Sequence, residues 1–569
     1  MAAAGAFCFF GQASFAGFCE KLAKESLSNN PLKLHYTLAD PESMGYGALP
    51  MDLSVFYAEA YENNTAVWQE YLNRLESYDP DSLPQQEAFT WRLLQRYFTL
   101  EEELSTYLYY ENPLSPADGT HIQLPVLLAE YAFRSREDVD HYLTLLSQLP
   151  DYFRGLLIYA RQQAQAGMLQ YEGNLETVTG QCESILNEEQ LASGGHFLQT
   201  TFQARLEALT EEEAEGLREE EAESLMEENQ RLLEELAQAY QELAEGLSGL
   251  EGTDQLTGLA AFPDGAEYYA LLLAQTVGSD RSVSEMKEML SQRLEELYAE
   301  YRGLITDGTI VSEYVFPMEN EADMLEDLFG RMEKDFPELA QLSQTVTLKP
   351  VAAGLEDMMA PAFYLTPPVD QNQEHTIYIN QSDGYEGLSL YTTLAHEGFP
   401  GHLYQTVYSQ NALTEEEAPF IRQLLYYGGY TEGWGIYSES WACQFAAQLL
   451  GEEYGDTVRA SQLNRELQLC LCSILDIFIH YDGATLSQVQ QLLQSMGFGG
   501  GNVSAVYETI CNSPANYPKY YVGYLEILEL KELAFENDHQ MTEREFHRWL
   551  LSCGPADFTS LREELLRAS

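Results

Sequence analysis

Residues 396–402 read His-Glu-Gly-Phe-Pro-Gly-His, two imidazoles around a carboxylate inside a run otherwise patterned as helix. Two histidines and a glutamate on adjacent turns are the usual means of holding a catalytic zinc with a base beside its water. In the common arrangement the histidines stand four apart, about 40° around the helix axis. Here they stand six apart, roughly 240° around a straight helix, so the rings would diverge. Pro400 removes a backbone donor and clashes with the carbonyl of His396, and Gly401 reaches conformations closed to other residues. The break predicts that the two extra residues loop out and return His402 to the face of His396. Glu397 is then the candidate general base, and His396 and His402 the candidate metal ligands.

A third ligand for a two-histidine site is expected from a following helix, leaving one position open for water. The segment 431–439, TEGWGIYSE, places Glu432 and Glu439 seven residues apart, on one helix face. Read blandly, both are surface charges. Their neighbours Trp434, Tyr437 and Trp441 instead indicate a buried helix, where a carboxylate needs a partner because an unpaired buried charge is expensive.

The elements that must position these groups are mostly helices. Apolar residues recur at three- and four-residue spacing through 53–112, as in Val55, Tyr57, Tyr61, Trp68, Leu72 and Leu75, and again through 138–166, ending at Gly167. The Glu-, Leu- and Ala-rich stretch 203–248 is one long helix or an antiparallel pair, and Ser282 caps a further helix. Between 344 and 382 the composition turns β-branched and aromatic with Pro and Gly, which predicts two or three short strands, Thr376–Asn380 the clearest. Helices then follow at about 387–409, 414–449, 456–480, 485–496 and 517–536. The expected fold is mainly α: a large multi-helical protein with a small β-sheet next to the ligand-bearing helices and a cleft between helical halves. An N-terminal helical region, 1–250, and a catalytic region, 251–569, are expected to pack as one continuous unit.

Composition narrows the function classes. The chain has 569 residues and a net charge of -62, which argues against nucleic acid and anionic membrane surfaces as partners, since phosphate binding needs clustered Lys and Arg. The acidic run 211–222 reads as a solvated helix face. Eight cysteines without a CxxC pair read as free thiols rather than a disulfide scaffold. No run reaches the ~18 apolar residues of a membrane-spanning helix, and the apolar N-terminus has no basic flank. The chain as given reads as soluble; a signal segment upstream would make it extracytoplasmic or lipid-anchored. Oligomeric state is not legible.

The two motifs together resemble those of a bacterial family known as domain of unknown function 885, whose pattern is HE-x-x-PGH followed by Gln, then EGW-x-x-Y-x-E. Here these are His396 to His402 with Gln405, and Glu432 to Glu439. Looser matches are Gly265 to Tyr269, the Pro-rich strand Tyr364 to Asn380, Asp476 with His480, and Pro514 to Gly523. The chain departs from the family at Phe478, where glycine is expected, at Ala515-Asn516 in place of Gly-Gln, and at an arginine missing ahead of them. The family in turn looks similar to glutamate-type zinc metallopeptidases of the carboxypeptidase Taq and thimet oligopeptidase kind. That resemblance implies zinc as cofactor, Glu432 as third ligand and Glu439 as a residue supporting the ligands. It implies Tyr520 as the donor to a tetrahedral oxyanion, with His480 second, although His480 reads equally as a core histidine oriented by Asp476 one turn earlier. The expected activity is a zinc-dependent metallohydrolase, a peptidase on short peptides. Its alternatives are an amidase on N-acyl amino acids or small amides, and a catalytically silent surface protein that binds peptide.

Overall fold

A computed structural model describes residues 14–28, 30–47, 52–53, 58–186, 188–212, 219–311, 314–339, 345–351, 361–380, 386–498 and 501–568. The expectations on Cys8, Val55, Tyr57 and the centre of the acidic run fall outside these residues. The structure is mainly helical, with one three-stranded sheet. Local signals explain several helix ends. Ser135 and Asp138 form a reciprocal capping box at the start of Arg136–Ala166, and Gly167 closes that helix in the left-handed region at φ 70°. Ser282 and Glu285 do the same for Val283–Asp307. The 203–248 stretch is two helices, Phe197–Glu212 and Glu219–Leu247.

The strands are β1 (Thr345–Pro350), β2 (Ala362–Leu365) and β3 (Glu374–Ile379). Their order is β1-β3-β2, with β3 parallel to β1 and antiparallel to β2 in the register Ala362↔Ile379 and Tyr364↔Ile377. The central β3 buries Ile377, Tyr378 and Ile379, whereas β2 is an edge strand with no strand partner on its outer side.

Apolar side chains sort into two large cores. Phe15 to Phe98 share one core with Tyr269 to Leu565, while Leu114 to Leu247 form another, so the chain crosses between them twice. A cavity of about 440 Å³ is lined by Tyr110, Gln163 and Tyr171 together with Phe262, Tyr268 and Lys519. The described cysteines are free. Among the described residues no helix is long and apolar enough to cross a membrane.

Candidate metal centre

The expected single helix over 387–409 is two: Gly387–Glu397, the HE helix, and His402–Glu415, the PGH helix. The connection Gly398–Gly401 is the break expected at Pro400-Gly401, and its tightness explains why glycine stands at 401. A Cβ there would lie 1.9 Å from the His396 carbonyl oxygen and 2.2 Å from that of Ala395. His396 therefore stands in the last turn of one helix and His402 at the first position of the next. Their rings meet edge to face, 4.6 Å apart at 89°.

The third helix, Gly428–Leu450, carries the EGW segment. It is tied to the break by the Trp434 indole N–H, which donates to the Pro400 carbonyl at 2.8 Å. Gly435 lets it press on the His396 ring, where a Cβ would fall 2.5 Å from Nε2. On its other flank a Cβ at Gly433 would sit 2.4 Å from the carbonyl carbon of Gly523, so the helix Asn516–Asn537 crosses it backbone to backbone. Those glycines bring Glu432 and Tyr520 to one place.

Glu432 Oε2 lies 3.5 Å from His396 Nε2 and 3.5 Å from His402 Nε2. Ligands about 2.0–2.1 Å from a tetrahedral zinc are separated by about 3.3–3.4 Å, so both Glu432–imidazole separations match such an ion. The His396, Glu397 and His402 side chains also form a cluster with ligand atoms within 4.8 Å of one another, which raises the question of which glutamate binds. Glu397 Oε2 already accepts the Tyr364 backbone N–H of the β2 edge at 2.9 Å. Glu432 Oε2 is equidistant from both imidazoles, which makes Glu432 the better-placed candidate ligand and leaves Glu397 the candidate base. Three carboxylates, Glu397, Glu432 and Glu439, surround two imidazoles; Arg465 offsets the charge of Glu439 and Lys519 stands near Glu432, which leaves one carboxylate charge in excess.

The remaining contacts hold the ligands in place. His396 Nδ1 meets Glu439 Oε1 at 2.9 Å, and Glu439 in turn takes Arg465 Nε at 3.1 Å and Nη2 at 3.3 Å. A carboxylate on the far nitrogen fixes the tautomer and orientation of a ligating imidazole. Burial presses the His396 imidazole down, but hydrogen bonds to Glu432 and Glu439 and the charge of Glu397 outweigh it and hold it at about 10. Burial pushes Glu439 up, and Arg465 and His396 overcome it and hold the carboxyl at about 2. Glu432 is held well below the usual carboxylate range, its burial outweighed by the two histidines.

Tyr520 is brought to this centre. Its ring centroid is 6.3 Å from that of His396, and both side chains line a cavity of about 540 Å³ together with Glu397, Arg465 and Tyr524. Burial, then the charge of Glu432, pushes its phenol far above the usual range, so it stays a donor.

His480 is not brought there, which corrects its place as second oxyanion donor. It is fully buried, its Nδ1 accepts the Leu259 N–H at 3.1 Å, and its Nε2 donates to the Ile510 carbonyl at 2.8 Å. With both nitrogens engaged by backbone and burial pressing it down to about 4, it is a neutral core residue. Asp476 accepts the Tyr269 hydroxyl at 2.6 Å and the Ala515 N–H at 3.0 Å, so it anchors the start of the helix that carries Tyr520. Sequence reasoning missed Arg465, Lys519 and the Tyr364 N–H. Lys519 lies 3.9 Å from Glu432 Oε1, and its place one residue before Tyr520 was the signal available for it.

A family model described as "Bacterial protein of unknown function (DUF885)" matches residues 42–565. Among solved structures, the chain is similar to that of a "putative lipoprotein" from Colwellia psychrerythraea, with TM-score 0.81 and 18% identity over 97% of this chain and 98% of that one. It is also similar to a "putative lipoprotein of unknown function" from Shewanella oneidensis, with TM-score 0.64 and 16% identity over 97% of this chain and 100% of that one. At these identities the likeness shows the shared fold. No curated protein matches the chain.

Proposed function

The chain belongs to the DUF885 family, and we propose that it is a zinc-dependent hydrolase of peptide bonds in short peptides. The observation that supports this reading most is the convergence of His396 Nε2 and His402 Nε2 on Glu432 Oε2, each at 3.5 Å, with the Glu397 carboxylate beside the two imidazoles. When bound, zinc supplies Lewis acidity, acidifying a water and polarising the amide carbonyl. Glu397 takes the proton of the attacking water and returns it to the leaving amine, so water adds across the C–N bond. The Tyr364 N–H holds Glu397 through Oε2. Tyr520 donates its hydroxyl to the developing oxyanion. Glu439 and Arg465 keep His396 oriented throughout.

Cavities of about 540 and 440 Å³ suit a peptide of several residues better than a small amide. The structural neighbours described as lipoproteins support a place of action outside the cytoplasm. The test is metal analysis of the purified protein, with zinc expected near one equivalent, paired with a peptide-library digest by the wild type and by Glu397→Gln. Absence of bound zinc together with equal turnover by the variant overturns the reading. Stoichiometric zinc and peptide binding without turnover point to the silent binding protein.

A further inference from the structure

We propose that Lys519 anchors a free α-carboxylate on the leaving group, so that the substrate is an N-acyl or N-peptidyl α-amino acid cleaved at its last amide bond. The inference rests on the hydrolase reading and names the substrate class of that centre. The geometry points to it in three steps. First, the Lys519 ammonium stands beside the ligand set, 3.9 Å from Glu432 Oε1, and over the Tyr520 ring at 5.1 Å from its centroid. It is three-quarters buried, and Glu432 Oε1 lies beyond ordinary hydrogen-bonding distance, so its donors remain available to a ligand.

Second, the cations lining the two cavities differ in occupation. In the 540 Å³ cavity the Lys or Arg side chain is Arg465, held through two nitrogens on Glu439. In the 440 Å³ cavity it is Lys519. Asn516 lines both cavities, one helical turn before Lys519 and Tyr520, so the face Asn516-Lys519-Tyr520 leads from the reacting centre into the second cavity.

Third, the distances select an exo-cleaved substrate. The α-carboxylate of a leaving amino acid lies about 3–4 Å from the scissile carbon, by bond lengths alone. A cation in contact with a metal ligand is at that range. In a substrate that continues past the scissile bond, the same position holds a neutral amide carbonyl, which an ammonium recognises far less strongly. The side chain of the leaving amino acid would then enter the second cavity, against Tyr268 and Phe262.

The probes are N-acetyl-Ala-Ala-Phe, its C-terminal amide, and N-acetyl-Phe. Binding is measured calorimetrically to the full chain carrying Glu397→Gln, with and without Lys519→Met or Lys519→Arg, each variant checked by thermal melting. The acid is expected to bind at least ten-fold tighter than the amide, Lys519→Met to erase that preference without changing amide affinity, and Lys519→Arg to keep it. N-acetyl-Phe binding with the same Lys519 dependence assigns N-acyl amino acids as substrates; its failure to bind beside tight binding of the longer acid assigns peptides. Equal affinity for acid and amide, a preference that survives Lys519→Met, or no binding of any probe overturns the proposal. Wild-type cleavage of acid and amide at equal rates overturns it while leaving the hydrolase reading intact. Lys519-dependent binding without cleavage has the opposite meaning.

Discussion

Two buried histidine–carboxylate clusters are built to opposite ends. At the candidate metal centre His396 faces carboxylates through both ring nitrogens, and its imidazole is held up at about 10. In the second cluster His480 faces backbone through both nitrogens and is pressed down to about 4. The carboxylates diverge in the same sense: Glu439 is held at about 2 by Arg465 and His396, whereas burial lifts Asp476 to about 7. The difference teaches that proximity of His and Asp or Glu does not mark a ligand set. What marks one is an imidazole with a carboxylate behind it and its other nitrogen turned to further donor atoms around a common point. The second cluster is a buttress: Asp476 and His480 bind Tyr269, Leu259, Ala515 and Ile510, and so fix the helix that presents Tyr520.

The largest expected effect comes from Glu397→Gln. Removing a general base costs on the order of 10²–10⁴ in turnover. Zinc content and melting temperature should remain those of the wild type, because Glu397 is not among the assigned ligands. A fall in zinc content would move Glu397 into the ligand set and break the assignment of Glu432.

His480→Ala comes next and tests the buttress. It strands the Leu259 N–H and the Ile510 carbonyl and opens a cavity, a loss of about 2–4 kcal/mol in urea unfolding. Zinc affinity of the folded protein should be unchanged. If zinc affinity falls without loss of stability, the two clusters are coupled and the contrast between them fails.

Glu439→Gln reaches the centre through His396 alone. Residues that orient a ligating imidazole typically contribute 10–100-fold to metal affinity. Competition titration with a zinc chelator should show a loss in that range, and Arg465→Met a smaller one, since Arg465 acts one contact further out. Affinity equal to wild type in Glu439→Gln would make Glu439 a packing residue.

These same residues show how far the sequence could be read. The meeting of His396, His402 and Glu432 was legible because its determinants are local. Pro400 and Gly401 announce a break between two histidines, and Glu432 and Glu439 announce one helix face by their spacing. The strands were legible by composition, and two helix ends by Ser282 and Gly167; the Ser135 cap was not read. The role of His480 was not. A four-residue spacing puts Asp476 and His480 on one helix face and says nothing of what that face meets. Here it meets Tyr269, Leu259 and Ala515, far away in sequence. Arg465 and Lys519 were missed for the same reason, each being one charge on a helix whose facing partner comes from another segment. The looser motif matches at 265–269, 476–480 and 514–523 acquire a physical account: Tyr269 bonds Asp476 and stacks on His480 at 5.4 Å, and Asp476 holds Ala515.

Tyr269→Phe gives the smallest effect and separates the clusters by pH. Its hydroxyl donates to Asp476 at 2.6 Å, and losing one such bond costs about 1 kcal/mol near neutral pH. Burial raises the folded Asp476 carboxyl from 3.8 to about 7, against hydrogen bonds from Tyr269 and the backbone of Ala515 and Tyr517 that lower it. Between those values the folded state holds a proton that the unfolded state has released, so the contribution of Asp476 to stability falls as pH rises through that window. Without Tyr269 the ionised form loses a donor. The variant should therefore approach the wild type in stability below about pH 4 and separate from it towards pH 8. The metal centre also loses stability with rising pH in the absence of metal, but in a different window. The raised His396 imidazole contributes fully below its unfolded value of 6.5 and loses that contribution as pH rises through about 10. Zinc displaces the imidazole proton of His396, so it should remove the second dependence and add one of opposite sign below about 6.5, where the unfolded imidazole takes up a proton that the metal-bound one cannot. Melting curves from pH 4 to pH 10 with and without zinc resolve the two. In the metal-free protein, a Tyr269→Phe deficit that does not grow with pH would show that Asp476 is ionised in the fold and that the clusters are not opposites.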